Sequence, residues 1–435
     1  MDGPLDPAIY DTARPVPSWW EASASPASDR PALSGEAVSD VAVIGGGVAG
    51  LSCALALAER GIGAAVLEAG GIGWGSSGRA GGIVGFGGTK LSREGLVRRF
   101  GEEETVRAER MQAEQIRRLR AFCDDRAPGI AEGDGEVLYA HSARVAEALR
   151  AEPPPAGGET ARVAPSRLYD IARFGGLRIR PGFGVHPLRL TQALAEAAEA
   201  AGARIHPRSE VLAWERAGNG HRLVTAQGAL RAARVVLATN AFAPEQLHPA
   251  IRARAVPVIS NIGVTRPLTQ EERDRHPWLG PDPMADTRNL LAYFRLLPEG
   301  RLLYGTRGDI RGSEHGAARM RARRETRLAR DLPGLAGAGL THFWRGPICA
   351  TLSFRPAIGR VADEPTVLHG FGWHGSGIAM GTFAGRLLAG LAAGAPEESV
   401  PAPWRGPAPR VPLPGLRPLY VGAMMGLYAL SDRQG

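Results

Sequence analysis

The sequence predicts an α/β fold: a parallel sheet between helices, with a smaller α+β domain on an antiparallel sheet inserted into it. Three observations predict this. Residues 40–68 read as strand, tight turn, helix, turn, strand. Residues 235–241 read as a second buried strand that runs into a turn of small residues. Between residues 249 and 341, short apolar segments alternate with turn signals, as in an antiparallel sheet.

The first stretch carries the most chemistry. Residues 41–44 are apolar and rich in β-branched side chains, which suits a strand covered on both faces. Gly45, Gly47 and Gly50 then form G-x-G-x-x-G where strand gives way to helix, with Val48 and Ala49 between them. Gly45 permits the tight turn, Gly47 lets backbone approach a pyrophosphate, and Gly50 lets helix lie close on strand. The N–H groups and positive dipole end of that helix then face the pyrophosphate. Leu51, Leu55 and Ala58 continue at helical spacing, and Gly61 is placed to end the helix. The second strand ends in Glu68, followed by Ala69, about twenty residues past the glycines, where an acid holds ribose hydroxyls. The expectation is a dinucleotide-binding, Rossmann-like unit. The acid disfavours a 2′-phosphate, so FAD or NAD is expected and NADP is not.

At 435 residues and 45.9 kDa the chain is long enough for two domains. Its formal net charge is +8 and its pI about 10.0, a balance that can mark nucleic-acid or anionic-membrane partners. Lys90 is the only lysine, and the arginines that supply the charge are scattered. Neither nucleic acid nor a membrane is therefore expected as a partner. The one cluster, Arg321, Arg323 and Arg324, reads as a solvated helix face. Cys53, Cys123 and Cys349 stand far apart and in no metal-binding spacing, so no metal and no disulfide framework are expected, and a cytoplasmic location is. No apolar run approaches the length of a membrane span, and the acidic, proline-containing start differs from a signal peptide. A monomer or small homo-oligomer is expected.

In chain order, residues 1–36 hold Trp19 and Trp20, a pair that points to a segment docked on the body. Residues 71–82 are dense in glycine, so backbone passes close to something there. Gly75, Ser76, Ser77, Arg79, Ala80, Gly81 and Gly82 are expected to make a second contact with the pyrophosphate and its cofactor. A helix is expected over 102–123, with Ile116, Leu119 and Cys123 on one face, and a short strand over 135–140. His186-Pro187 opens a helix that ends at Gly202. Strands follow near 204–206 and 209–214, where the backbone of Val211 would meet the adenine side. Ala238, Thr239 and Asn240 return the chain to the cofactor. In the inserted domain, strands over 256–264, 290–296 and 302–307 carry Tyr293, Arg295, Tyr304 and Arg307, a wall for a substrate pocket. Ser313 caps an Arg-rich helix to 331. Gly372, Trp373, His374, Gly375, Ser376 and Gly377 open a last helix at Ile378, whose N-terminus would face an anion such as the N1–C2=O edge of a flavin.

The expected limits are 1–36 for the docking segment and 37–100, 170–248 and 342–400 for the cofactor-binding domain. They are 101–169 and 249–341 for the substrate domain, and 401–435 for a tail.

These features resemble the D-amino-acid oxidase, glycine oxidase and sarcosine oxidase family of FAD enzymes, and in finer pattern its γ-glutamylputrescine oxidase-like branch. The resemblance rests on Trp19-Trp20-Glu21-Ala22, the glycines with Glu68, residues 73–82, His186-Pro187 and Ala238-Thr239-Asn240. It continues through Asp286-Thr287-Arg288, Tyr293-Phe294-Arg295, Arg355-Pro356 with Ile358-Gly359, and residues 372–377. It implies FAD held by a two-dinucleotide-binding domain that is split in sequence. It also implies oxidation of the C–N bond of an amine or amino acid. Hydride passes to flavin N5 from the carbon beside a neutral amine, the imine hydrolyses, and O2 reoxidises the flavin.

Within that picture Arg295, Arg307 and Arg355 are candidate carboxylate clamps, because a guanidinium grips carboxylate with two prongs. Arg355, Gly372, Gly375, Ser376, Gly377 and Ile378 are expected beside the flavin. Trp373 and His374 would stand near flavin and substrate, with His374 able to take a proton from the amine. The resemblance implies a lysine beside the flavin for oxygen chemistry, and Lys90 is the candidate. Two departures stand out: His374 and Ser376 exchange the family's Ser and His, and Ser353 replaces its acid. A flavin monooxygenase using NAD(P)H is the alternative, ahead of an RNA-acting flavoprotein or a flavin-binding protein without turnover.

Overall fold

The computed structural model describes residues 4–166, 170–242 and 245–434. Residues 1–3, 167–169, 243–244 and 435 lie outside the described residues, and with them the start of the expected docking segment and the limit at 169.

Gly35–Ile44 lies in the middle of an eight-stranded sheet. It runs parallel to Ala64–Leu67 on one side and to Gly228–Leu237 on the other, with Val43 level with Val66 and Val236. Arg204–His206 and Glu364–Phe371 add two more parallel strands. Ala213–Ala217, Gly220–Val224 and Ala357–Val361 pair antiparallel. The apolar strand read in residues 41–44 is covered on both faces, as expected: Val41 and Val43 enter one core, Ala42 and Ile44 another. The expected strand over 209–214 forms later, at Ala213–Ala217.

Two crossing helices, with Pro187–Ala200 beside the first of them, cover one face. Val48–Ala58 makes the first crossover, and Gly377–Ala392 crosses over it. A Cβ on Gly381 would stand 2.8 Å from Val48 Cγ2, and one on Gly385 would strike the backbone oxygen of Ala49. The missing side chains let the helices touch backbone to backbone and bring both N-termini to one side of the sheet.

A second eight-stranded sheet runs in the order Leu340–Ala350, Val256–Pro267, Arg301–Arg307, Ala292–Leu296, Met284–Asp286, Glu136–Tyr139, Gly176–Arg180, Glu159–Val163. All its pairings are antiparallel except that of Met284–Asp286 with Glu136–Tyr139. The Glu314–Asp331 helix, capped by Ser313 on Gly316 N–H at 3.2 Å, lays Leu328 into its core.

The structure moves three expected limits. Gly176–Arg180 and Leu340–Ala350 pair within the second sheet, beyond the substrate-domain limits. The Glu102–Arg126 helix sends Ile116, Leu119 and Cys123 into the core of the first sheet. The tail holds a helix, Arg417–Gln434. The arginine cluster also differs: Arg324 turns inward and is buried, so only part of that face is solvated. The amino-terminal segment does dock, with Trp20 buried against Trp344 and His186. Among the described residues, no helix is long and apolar enough to cross a membrane.

Candidate functional site

The two sheets and the two crossing helices surround a cavity of about 520 Å³. At one end, Gly45 to Ala49 and Glu68 with Ala69 form its floor. Glu68 accepts Gly46 N–H on Oε2 at 2.6 Å and Gly70 N–H on Oε1 at 2.8 Å, while burial pushes its carboxyl pKa up. Gly45 has φ of 112°, and a Cβ there would stand 2.8 Å from the oxygen of Ala238. Gly47 answers to a side chain as well: a Cβ would stand 2.7 Å from Ser77 Oγ, which accepts Val48 N–H at 3.0 Å. Gly50 does not line the cavity, and a Cβ on it would strike the oxygen of Gly45, so it serves the close helix–strand packing expected of it.

The glycine-dense stretch crosses above, with Gly75, Ser76, Ser77 and residues 79–82 on the cavity. Ser76 Oγ donates to the oxygen of Pro347. Arg79 is buried beneath the Trp74 ring at 4.3 Å, and burial lowers its pKa to about 10, so it stays cationic. Two indoles fix this stretch from behind: Trp20 Nε1 donates to the oxygen of Ala80 at 2.8 Å, and Trp344 Nε1 to that of Arg79 at 2.9 Å. Val211 and Ala238 to Asn240 line the cavity too. Asn240 Oδ1 accepts Gly372 N–H at 3.0 Å, so Gly372 supports the site without lining it.

The far end is closed by residues 373–378. His374 holds φ of 49° and is buried. Thr351 Oγ1 donates to the oxygen of Arg355 at 2.7 Å, so at 3.2 Å it accepts from His374 Nε2. Ser353 Oγ joins Thr351 at 3.1 Å. Burial first, then the Lys90 charge, lowers the His374 pKa to about 4, which makes it a weak proton acceptor at neutral pH.

Lys90 also lines this end; it is exposed, and its backbone N–H donates to the oxygen of Phe354 at 2.9 Å. Surrounding protein lowers its pKa to about 7, with Arg307 adding to the effect and Glu136 opposing it. Tyr293 and Arg307 come from the second sheet. Tyr293 OH meets Ser260 Oγ at 2.8 Å. Arg307 donates to two carbonyl oxygens, of Asn289 at 3.3 Å and His374 at 3.4 Å, and among the described residues no carboxylate pairs with it.

Two expected clamps are elsewhere. Arg295 points away from the cavity: its Nη2 donates to the oxygen of Val185 at 2.7 Å, its guanidinium lies over Trp20, and Glu132 stands 3.8 Å off. Gly82 and Gly184 leave the slot that receives it. Arg355 donates to the oxygens of Arg405 at 2.9 Å and Pro403 at 3.2 Å and lies against Phe100, so its side chain holds the carboxy-terminal segment and neither flavin nor substrate. Glu136 was missed. Glu136 and Leu138 face the cavity while Val137 and Tyr139 enter the core, an alternation present in the sequence.

The Val48–Ala58 and Gly377–Ala392 helices begin at Gly47 and Ser376 with no cap bond from their own N-cap side chains, and Ser77 Oγ takes Val48 N–H of the first. The residues fit FAD: one open helix end for a pyrophosphate beside Glu68, another for the electron-rich edge of a flavin ring.

A family model described as DAO, FAD dependent oxidoreductase, matches residues 40–391. The chain is 28% identical over 392 residues to the "Probable oxidoreductase OrdL" of Rhizobium meliloti, covering 88% of this chain and 89% of that one. It is 29% identical over 446 residues to the gamma-glutamylputrescine oxidoreductase of Escherichia coli, covering 96% and 98%. The crystal structure of glycine oxidase from Geobacillus kaustophilus matches with a TM-score of 0.64 at 24% identity, covering 83% of this chain and 96% of that one. At that identity the structural likeness shows the fold.

Proposed function

The chain belongs to the DAO family of FAD-dependent oxidoreductases, and from that premise we propose that it oxidises the C–N bond of an amine or amino acid that carries a carboxylate. The observation that carries this is Arg307: a guanidinium with no carboxylate partner, facing the same cavity as both open helix ends. FAD supplies, when bound, the two-electron acceptor for hydride from the carbon beside the nitrogen. Glu68, the turn at Gly45 to Ala49 and residues 75–82 would hold its nucleotide half, and residues 373–378 its ring.

The chain's own residues bind and orient. Arg307 fixes the carboxylate and with it the C–H bond to be broken. Tyr293 offers its hydroxyl, and its pKa, pushed up to about 12 by burial, keeps it protonated. The substrate nitrogen would enter as ammonium and release a proton to solvent, leaving the neutral amine whose neighbouring C–H bond breaks. The product imine then takes up water and separates into carbonyl and amine. We further propose O2 as the reoxidant, with the Lys90 cation beside it, and a cytoplasmic location on the strength of three buried, free cysteines.

Anaerobic mixing with a panel of amines and amino acids tests the reading. Bleaching of the flavin absorbance by a carboxylate-bearing amine, and its return in air, supports it. NADPH oxidation without any amine overturns it in favour of a monooxygenase.

A further inference from the structure

Glu136 is a cavity-facing acid that the steps above leave unused. It sits on the Glu136–Tyr139 strand, whose register against Gly176–Arg180 places it opposite Ile179. Its carboxyl rests against Gly85, where a Cβ would strike Oε2; the backbone has left a seat for this group. Among the described residues no hydrogen-bond donor reaches its carboxylate and no cation lies within ion-pair distance. Lys90 lines the same chamber near enough to act on it through charge, and Arg307 lines it as well.

The chamber therefore presents two kinds of unspent charge. Arg307 is a cation without an anion, and Glu136 an anion without a close cation. Burying either in isolation is costly, and a ligand that brings the missing partner recovers that cost. We infer that Glu136 receives the cationic nitrogen of the substrate whose carboxylate Arg307 holds. This rests on the reading that Arg307 holds a carboxylate. Burial raises the Glu136 pKa to about 7, held down by Lys90, so a carboxylate form is present at neutral pH for an ammonium to meet.

The test uses the FAD-loaded enzyme and matched compounds: alanine against propionate, 4-aminobutyrate against butyrate, and butylamine. Binding is read from flavin spectral shifts under anaerobic conditions. In the wild type at least one amino acid binds more tightly than its acid partner. Glu136→Gln, which keeps the shape, lowers amino-acid affinity about ten- to hundredfold and leaves the acids unchanged. Glu136→Asp recovers part of the loss. The inference is overturned if no amino acid binds more tightly than its acid, or if Glu136→Gln weakens acid and amino acid equally. Those results leave flavin-dependent amine oxidation standing, since bleaching by any amine reports that separately; a wild type bleached by no amine sinks the earlier reading instead.

Discussion

Arg307 of the second sheet donates to the backbone oxygen of His374 in the glycine-rich turn, at 3.4 Å. This contact ties the proposed anion-binding group to the helix end that would face the flavin ring. Both carbonyl contacts of Arg307 are long and neutral, so its charge remains available.

Replacing Arg307 by Met should remove the carboxylate grip and keep the fold. The expected loss is about 1.5–3 kcal/mol in kcat/KM, or about ten- to 150-fold, for a substrate with a carboxylate. Amines without a carboxylate should lose little. Steady-state kinetics on the two classes checks this, and an equal loss on both would refute the assignment.

Lys90 offers an unusually direct titration because it is the only lysine in the chain. Its pKa is lowered to about 7, so the ammonium form gives way to the neutral amine between about pH 6 and pH 8. If its charge serves the oxygen step, flavin reoxidation should slow as pH rises through that range. Lys90→Met should be slow throughout and leave anaerobic reduction intact. Stopped-flow reoxidation measures the rate, and NMR of the one methylated lysine side chain gives the pKa; a side chain that titrates near 10.5 refutes the assignment.

The nucleotide end of the site could be read from the sequence because its rules are local. Gly45, Gly47, Gly50 and Glu68 lie within one βαβ unit, where spacing alone sets geometry. The substrate end obeys distant neighbours. In sequence Arg295 and Arg307 are equivalent, on adjoining strands. A slot beside Gly184 claims the first, and only the second reaches the cavity. Arg355 follows Phe354, whose φ is 56°, and its side chain leaves toward Pro403 and Arg405, a direction no motif encodes. Glu136 enters the site because its strand pairs with Met284–Asp286, far along the chain, and that pairing is tertiary information. Domain limits moved for the same reason, since pairing partners and not sequence blocks decide where Gly176–Arg180 belongs.

His369 gives a clean pH test away from the cavity. Burial lowers its pKa to about 4 from an ordinary 6.5, and its Nδ1 has no partner. The unfolded chain therefore binds a proton that the folded one does not between those values. Its contribution to stability is whole above about pH 6.5 and is lost as pH falls toward 4. His369→Leu removes this dependence, so the variant should gain on the wild type by about 1.4 kcal/mol per pH unit across that interval. Urea unfolding at several pH values checks the slope; parallel profiles for the two proteins refute it.

Trp20 joins the amino-terminal segment to the loop that would hold the cofactor. Its indole donates to the oxygen of Ala80 at 2.8 Å, beside the bond from Trp344 to Arg79. Trp20→Phe keeps a ring against Arg295 and leaves the Ala80 oxygen without its donor. An unmet buried acceptor costs about 1–3 kcal/mol, which loosens the loop in the free protein and is reflected in cofactor affinity. FAD titration by fluorescence quenching should show binding weakened about five- to 150-fold, with the helix content of the protein unchanged by circular dichroism. Equal FAD affinity in the two proteins would mean that Trp344 alone suffices to hold the loop.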